Sequence, residues 1–366
     1  MGPTDICCVD NGAKSNMAHV LKTAGWRPKG LPPPRHARTA PNGIAVHDGP
    51  PTVAVVICVQ SEDRWDEMVF AVTSVLQQTH RAAEILLVID HNPALLRRAT
   101  FEMRDAVAIP NEHEVGLSGA RNTGVRAATS DIVAFLDDDA FAAPNWLAAL
   151  VAAYTDHDVV GVGGRVLPAW RAGRPAWFPP EFDWVVGCSY RGMPVERAQL
   201  IKYNGTNMSV RRQLLLDSGG FDGTELRSRL QRRQPHGLYL YEPAAMVRLA
   251  VPRSLSTWSY FRSRCFSAGM SKALVDGRVG PALATDRWYL RSVISTGIGR
   301  SVHCALRGNL TAAHTAVVLS AGVAITSAGY VNGRARSARE RFAKQRSTAM
   351  PSVRSACGAA AMTGMP

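Results

Sequence analysis

The sequence predicts an α/β fold built on a mixed, mostly parallel sheet with helices on its faces. Short apolar runs rich in β-branched residues alternate four times with amphipathic segments at helical spacing. The connections between them are short, which is typical of right-handed crossover units. The 366 residues include 46% hydrophobic residues, enough to bury a sizeable core. These observations together exclude a disordered protein.

The ordered part is predicted to begin at Thr52 with a continuous apolar strand, Val53–Val59. Continuous apolar runs are typical of strands buried on both faces. The elements that follow are a helix carrying Met68, Val69, Val72, Val75 and Leu76, a strand at 84–90, a helix at 93–104, a strand at 106–109, a helix at 116–128, a strand at 131–136, a helix at 144–154 and a strand at 159–162.

Three consecutive aspartates, Asp137, Asp138 and Asp139, close the strand at 131–136. Open α/β sheets bind their ligands at the carboxyl ends of the strands, so these acids lie where a ligand is expected. Adjacent carboxylates raise one another's pKa values, and a hard divalent cation would keep all three ionised. The alternative is a solvated acidic turn that caps the helix after Pro144. The strand context favours the cation site.

Two other motifs leave alternatives open or exclude a function. Gly161-Val-Gly-Gly164 lacks the third glycine of a dinucleotide-binding loop, and no Walker A loop is present, so neither kind of nucleotide site is expected. The aromatic, proline-interrupted stretch at 170–190 has two interpretations. Its rings either bind a sugar face or a lipid headgroup, or form a folded excursion that packs against the sheet.

Charge and cysteine content narrow the possible partners. The net charge of +13 is uneven, because residues 51–247 sum to −4 and residues 248–366 to +14. The basic end predicts an anionic partner, either a membrane surface or a polyanion. No nucleic-acid motif accompanies its arginines, so nucleic acid ranks below a membrane. The seven scattered cysteines contain no CxxC pair, which indicates a reducing compartment and no zinc site.

Six motifs in order resemble the family 2 glycosyltransferases. They are the strand Val53–Val59, Asp90, Gly119-Ala-Arg-Asn-Thr-Gly124, Asp137-Asp-Asp139, Gly205-Thr-Asn-Met-Ser209 and Gly219-Gly-Phe-Asp222. The resemblance covers residues 52–272 and implies a GT-A type fold, with a basic helical C-terminal extension beyond it. It also implies a nucleotide-diphosphate sugar donor and a hydroxyl acceptor that is lipid-linked or part of a polysaccharide.

The resemblance implies a role for each candidate site residue. Asp139 would bind Mg²⁺ or Mn²⁺, a cation that neutralises the charge developing on the leaving diphosphate. Asp138 would hold the ribose or share the metal, with Asp137 behind it. Cys58, Val59 and Asp90 would border the nucleotide, and Arg121 would approach the base or offset phosphate charge. These assignments are expectations.

The catalytic base is expected in an acidic pair whose position here holds Gly223, so Asp222 and Glu225 are the candidate substitutes. Relatives often have a histidine ligand just before the Val-Pro at 251–252. This chain has Arg248 and Leu249 there, so cation binding would depend on Asp139 and the substrate phosphates.

The resemblance and the charge pattern predict three regions. They are a disordered segment at 1–50 without a secretory signal, a GT-A domain at 51–275, and a basic, helical, membrane-associating region at 276–366 with a disordered end. Residues 310–331 carry no formal charge and could span a bilayer, although an interfacial or core-docked helix is favoured. A cytoplasmic location at the inner face of the cell membrane follows.

Two functions from different classes fit the sequence. The first is a metal-dependent, inverting glycosyltransferase acting on a lipid-linked or polysaccharide acceptor. The second is a catalytically impaired relative that binds a nucleotide sugar or a partner at the membrane, which Gly223 and the absent histidine suggest. A phosphoryl-transfer enzyme ranks third, because its nucleophile and lysine set is not recognisable.

Overall fold

The computed structural model describes residues 38–39, 45–46, 50–200, 204–222, 226–279 and 289–348. Most of the segment at 1–50 therefore lies outside the described residues, as do Gly223, Glu225 and residues 349–366, so the predicted disordered end is not described. The strands are β1 Arg38–Thr39, β2 Ala45–Val46, β3 Val53–Val59, β4 Glu84–Ile89, β5 Val107–Pro110, β6 Ile132–Asp137, β7 Ala140–Ala142, β8 Val159–Trp170, β9 Ala198–Gln199, β10 Asn207–Arg211 and β11 Leu238–Val251.

The α-helices are α1 Trp65–Leu76, α2 Pro93–Glu102, α3 Leu117–Ala127, α4 Trp146–Ala153, α5 Arg212–Asp217, α6 Leu226–Arg233, α7 Trp258–Val279, α8 Ser295–Leu306 and α9 Leu310–Thr348. Short 3₁₀ segments occupy Glu62–Arg64, Pro180–Val186 and Arg253–Ser256, and a π-helical segment occupies Tyr289–Ile294. β1 and β2 pair antiparallel with each other.

The parallel half of the main sheet has the order β5-β4-β3-β6. β3 lies between two parallel neighbours, with Val55 opposite Ile85 of β4 and Ala134 of β6. All three residues are buried, as expected for strands covered by helices on both faces. Because these strands are parallel and adjacent, their carboxyl ends meet at one edge of the sheet. That edge carries the aspartates.

The sheet is mixed because antiparallel strands continue it beyond β6. β10 pairs antiparallel with both β6 and β8, and the order then runs β8-β11-β7. β9 pairs with β11. β8 is longer than the strand predicted at 159–162, because it continues through Pro168 to Trp170. The predicted GT-A-like fold, a mixed sheet flanked by helices with helices at the C-terminal end, is confirmed.

The chain divides into two compact units, and β8 and β11 each run from one into the other. The first unit comprises residues 1–165 and 196–247, and the second comprises 166–195 and 248–366. The first contains the parallel strands and all the described candidate site residues. The predicted division at residue 275 stays a prediction.

In the second unit, the aromatic stretch packs against helix α7. The ring centroids of Phe178 and Phe182 lie 5.5 Å and 5.2 Å from that of Phe261, and all three rings are buried. Trp177 contacts Trp258 at 5.6 Å. Of the two interpretations of the 170–190 segment, packing therefore describes these residues. The partners are helix α7 and also Trp170 of strand β8, whose ring centroid lies 5.0 Å from that of Phe178.

α7 and α9 pack closely through glycines. A Cβ on Gly269 would overlap the carbonyl oxygen of Thr326, and a Cβ on Gly329 would overlap that of Phe266. Helix backbones approach this closely only where side chains are absent. Among the described residues, α9 contains the one helical stretch, Leu310–Arg339, that is long and apolar enough to cross a membrane by length and composition.

Candidate functional site

The candidate site lies where β3, β4 and β6 end. Cys58 is opposite Val88 of β4 and Asp137 of β6, so the last residues of three parallel strands are neighbours. Asp90 directly follows β4, and its backbone N–H donates to the carbonyl of Val59 at 2.8 Å. The structure thus brings together the predicted residues from all three strand ends.

Asp90 anchors the loop between β5 and α3. Its carboxylate accepts hydrogen bonds from Asn111 Nδ2 at 2.6 Å and from the Gly116 backbone N–H at 2.8 Å. His91 Nδ1 lies 2.9 Å away. Burial acts to raise the pKa of the Asp90 carboxyl, but these bonds outweigh it and hold the pKa below its usual value. Asp90 is therefore an ionised, rigidly held acceptor beside the site.

Asp137 is held by residues from two other parts of the chain. Its carboxylate accepts a hydrogen bond from Thr206 Oγ1 at 2.7 Å, and Arg121 Nη2 lies 3.4 Å from it. The same Arg121 nitrogen donates to the carbonyl of Gly205 at 2.9 Å. A Cβ on Gly205 would stand 2.8 Å from Arg121 Nη2, so glycine allows this approach. Asp137 thus ties α3 to the start of β10.

Asp138 and Asp139 share one arginine. Arg64 Nη1 lies 2.9 Å from Asp138 Oδ1 and 3.3 Å from Asp139 Oδ2. The side chain of Asp138 is 9% exposed and that of Asp139 24%, whereas Arg64 is 52% exposed. The two acids are therefore recessed, and the arginine reaches them from the solvent side.

Burial is the main cause of the raised pKa values of Asp138 and Asp139. It raises the pKa of Asp139 to about 6, the neighbouring carboxylate of Asp138 adds to the rise, and Arg64 opposes it. Burial also raises the pKa of Asp138, where Arg64 is again the main opposing charge. Asp139 is the acid that one guanidinium compensates least. A further positive charge beside Asp139 would lower its pKa and stabilise the ionised carboxylate.

Cys58 and Val59 line the floor of the site. Burial raises the pKa of the Cys58 thiol to about 12, against the opposing charge of Arg121, so the thiol is neutral. Val59 is buried, and its carbonyl is engaged by Asp90. Both residues therefore contribute side-chain volume and backbone atoms to the floor of the site, and neither contributes an ionised side chain.

The candidate base Asp222 is ion-paired. Its carboxylate lies 3.1 Å from Arg229 Nη2, and its side chain is 47% exposed. The preceding Phe221 is fixed by Asn122, whose Oδ1 accepts from the Phe221 N–H at 2.7 Å and whose Nδ2 donates to its carbonyl at 2.8 Å. Glu225, the other candidate, lies outside the described residues.

Three residues of the site were not predicted: Arg64, Asn111 and Thr206. Thr206 belongs to the Gly205–Ser209 motif, so attention to that motif could have found it. Arg64 follows Ser61-Glu-Asp in a turn after β3, and Asn111 follows β5. Asn111 comes directly after its strand and Arg64 five residues after its own, and a place in the segment after a parallel strand is the sequence signal that each offered.

The oxygen donors of Asp138 and Asp139 suit a hard divalent cation, and they already hold a cationic group in the form of Arg64. Within the described ranges, no group of three or more His, Cys, Asp or Glu side chains is arranged to hold a metal ion. A metal here would therefore need oxygens from a substrate or from water to complete its coordination.

Comparison with known proteins gives matches over this part of the chain. The family described as "Glycosyl transferase family 2" matches residues 54–218. A glucosyl-dolichyl phosphate glucuronosyltransferase of Haloferax volcanii is 33% identical over 261 residues, which are 66% of this chain and 83% of the relative. A pre-mycofactocin glycosyltransferase of Mycobacterium tuberculosis is 27% identical over 260 residues.

The second of these matches covers 61% of this chain and 55% of the relative, so the chain spans about half the length of that protein. Among solved structures, a mannosyltransferase from Pyrobaculum calidifontis in complex with GDP-Man and Mn²⁺ has a TM-score of 0.47 and 18% identity. That match covers 77% of this chain and 87% of that one.

Proposed function

The chain belongs to glycosyl transferase family 2 and is a glycosyltransferase, and we propose that it moves a sugar from a nucleotide-diphosphate donor to a lipid-linked or polysaccharide hydroxyl. One observation carries the proposal. The anchored carboxylate of Asp90 and the cluster Asp137–Asp139 stand at the ends of β4 and β6, the two strands that flank β3 in the parallel half of the sheet. Ligands of open α/β sheets bind at this edge.

We assign nucleotide binding to the Asp90 side of the site. A carboxylate offers about four lone-pair positions, and the bonds from Asn111, His91 and Gly116 use three of them. The remaining position can accept a hydrogen bond from a ribose hydroxyl or a base N–H. Cys58 and Val59 form the apolar floor beneath it, and Arg121 orients Asp137 and the Gly205 loop.

We assign the diphosphate to the Asp138 and Asp139 side, with Mg²⁺ or Mn²⁺ as the cofactor. When bound, such a cation neutralises negative charge that develops on the leaving diphosphate. Asp139 is the principal protein ligand, because it is the acid with the least compensated charge. Asp138 shares the metal or holds the ribose, and Asp137 supports both from behind.

Transfer with inversion needs a base that takes the proton of the acceptor hydroxyl. Asp222 and Glu225 remain the candidates. Asp222 is 47% exposed, so an acceptor can reach its carboxylate, which lies 3.1 Å from Arg229 Nη2. The proton would go from the acceptor hydroxyl to this carboxylate as the sugar bond to the diphosphate breaks.

The acceptor is proposed to be attached to a lipid at the inner face of the cell membrane. The name of the Haloferax volcanii relative states a dolichyl phosphate substrate. In this chain, α9 contains an apolar stretch of membrane-spanning length, and residues 248–366 carry a net charge of +14. Apolar and basic surfaces together favour anionic membranes.

The test is transfer by the purified full chain. It is incubated with Mn²⁺, a panel of nucleotide sugars and dolichyl phosphate glycolipids or polysaccharide fragments, and both transfer and donor hydrolysis are measured. Asp139→Asn should lower the rate by a factor of about 10² or more, since it removes a group that stabilises transition-state charge. Asp217→Asn, an exposed acid of α5, is the matched control and should leave the rate unchanged.

Two results would change the conclusion. Nucleotide-diphosphate binding that depends on Asp139, measured by calorimetry and accompanied by no transfer or hydrolysis, would favour the catalytically impaired relative. Absence of both binding and turnover across the panel would contradict the proposed donor site.

A further inference from the structure

Arg64 occupies the position of a cation between two acids of the site. Its Nη1 lies 2.9 Å from Asp138 Oδ1 and 3.3 Å from Asp139 Oδ2. A divalent metal binds carboxylate oxygens at about 2.0–2.2 Å, closer than any N–H donor can approach. One guanidinium nitrogen and a metal ion cannot both take the place between these two oxygens.

The position of Arg64 in the chain allows its side chain to move. The residue ends the 3₁₀ turn Glu62–Arg64, whose start is capped by Ser61, with the Asp63 N–H donating to Ser61 Oγ at 3.2 Å. The side chain is 52% exposed, whereas the acids it contacts are 9% and 24% exposed. The backbone is thus held by the cap while the guanidinium borders solvent.

The charges around the cluster also favour displacement. Asp137 has its own arginine, Arg121, whose side chain is 11% exposed and fixed to Gly205. Arg64, at 52% exposed, is the less confined of the two arginines. A divalent cation between Asp138 and Asp139 would repel the guanidinium, and the two negative charges of a diphosphate beside that cation would attract it.

We propose that Arg64 is a donor-binding residue that alternates between two anions: it pairs with Asp138 and Asp139 in the free enzyme and turns to the diphosphate of the donor when a divalent cation binds. The proposal rests on the proposed function, because it takes the same acids as the cation site. It assigns a new role to the turn after β3. In the free enzyme, Arg64 would compensate the negative charge of the recessed acids. In the complex with the donor, it would contribute to donor affinity.

The experiment compares wild-type full chain with Arg64→Gln and Arg64→Lys. The matched control is Arg197→Gln, since Arg197 is 48% exposed and pairs at 2.7 Å with Glu242, an acid that is 9% exposed. Isothermal titration calorimetry measures Mn²⁺ alone first, and then UDP and GDP at saturating Mn²⁺. The melting temperature, measured in EDTA and with Mn²⁺, shows whether each variant is folded and whether it binds the cation, independently of turnover.

Opposite changes are expected in the two titrations. Without nucleotide, Arg64→Gln should bind Mn²⁺ about tenfold more tightly than wild type, because the competing cation is gone. At saturating Mn²⁺, the same variant should bind the preferred diphosphate about tenfold more weakly, because a phosphate contact is lost. Arg64→Lys should fall between, and Mn²⁺ should raise the melting temperature of Arg64→Gln more than that of wild type.

An Arg64→Gln protein that matches Arg197→Gln in both titrations would overturn the inference while leaving the donor site intact. Weaker binding of Mn²⁺ alone by Arg64→Gln would also overturn it, since Arg64 would then support the metal and not compete with it. Failure of wild type and every variant to bind UDP or GDP with Mn²⁺ would instead contradict the proposed function, and this inference with it.

Discussion

At the scale of single residues, two arginines determine how the three adjacent aspartates are stabilised. Arg121 is nearly buried, pairs with Asp137 and is itself tied to Gly205. Arg64 is half-exposed and serves both Asp138 and Asp139. One guanidinium for two recessed carboxylates leaves Asp139 with a pKa raised to about 6. Among these three acids, Asp139 is therefore the one expected to respond most to pH and to cations.

We expect the affinity for Mn²⁺ to fall as pH is lowered through about 6. Because the pKa of Asp139 is raised to about 6, the acid keeps its proton below that pH, and the cation must compete with the proton. Calorimetry at pH 5, 6, 7 and 8 should show affinity constant above pH 7 and about tenfold weaker per pH unit well below 6. Equal affinity at pH 5 and 7.5 would contradict this expectation.

The same residue should cost folding stability. Its folded pKa lies above its unfolded value of about 3.9, so the folded state holds the proton more tightly and the free energy of unfolding decreases as pH rises from about 4 to 6. The loss persists at neutral pH. Asp139→Asn should therefore raise the free energy of unfolding at pH 7.5 in EDTA by about 1–2 kcal/mol, after discounting for solvent screening.

Urea denaturation gives this free energy, and Asp217→Asn is a suitable control because its carboxylate is exposed and bonds only locally to Gln213. A decrease in stability for Asp139→Asn would show that its ion pair with Arg64 outweighs the cost of its burial.

At the scale of elements, glycines decide how closely strands and helices approach. Gly164 belongs to the motif that resembled a dinucleotide loop, but it lies inside β8. A Cβ there would overlap the Ala245 carbonyl oxygen and the amide group of Asn207. The Asn207 amide donates to the carbonyls of Arg165 and Ala245 at 3.0 Å and 2.9 Å. The glycine therefore serves sheet packing.

Gly164→Ala should lower the free energy of unfolding by about 2–3 kcal/mol, because the new methyl group would displace buried hydrogen-bonded groups. Gly163→Ala is the neighbouring control, since its methyl group would meet only the end of the Leu200 side chain, at 3.0 Å. Its cost should be smaller. Equal stabilities of the two variants by thermal or urea denaturation would contradict the expectation.

The α7–α9 pair depends on glycines in the same way. Gly329→Ala should destabilise the protein by about 1–3 kcal/mol, because the methyl group would overlap the Phe266 carbonyl oxygen. Gly299→Ala in α8 has no heavy atom within 4 Å of the new Cβ and should stabilise its helix by up to about 1 kcal/mol. Differential scanning calorimetry of both variants tests the opposite signs.

At the scale of the whole molecule, charge and apolar surface are concentrated in the C-terminal third. Residues 248–366 sum to +14, against −4 for residues 51–247. Only 17% of the most apolar 18-residue stretch of α9 is buried. Exposed apolar surface next to arginines is typical of segments that lie on or in anionic membranes.

The full chain should bind vesicles containing phosphatidylglycerol more tightly than vesicles of phosphatidylcholine, and the difference should shrink with salt. Leu310 and Val317 on α9 are 85% and 65% exposed, so replacing both by Asp should weaken binding at least tenfold. Phe101, 72% exposed in the first unit, gives the control Phe101→Asp, which should bind like wild type. Vesicle co-sedimentation measures all three proteins.

The local pattern of apolar residues was sufficient to predict the strands that carry the site. The predicted strand Val53–Val59 is β3 with the same bounds, and the acids predicted to close a strand begin at Asp137, the last residue of β6. Membership in the family and the GT-A-like fold are confirmed. The predicted strand at 159–162 was too short, because β8 continues through Pro168 to Trp170.

The sequence by itself determined which acids stand at strand ends, because the apolar runs that form buried strands are local and their last residues share one edge once parallel strands pair. Only the tertiary structure decided how those acids are held. Arg64 and Asp138 are 74 residues apart, and Thr206 and Asp137 are 69 apart. Such pairs meet only because β3, β6 and β10 pair in the sheet. The local periodicity of the sequence does not predict which strands pair.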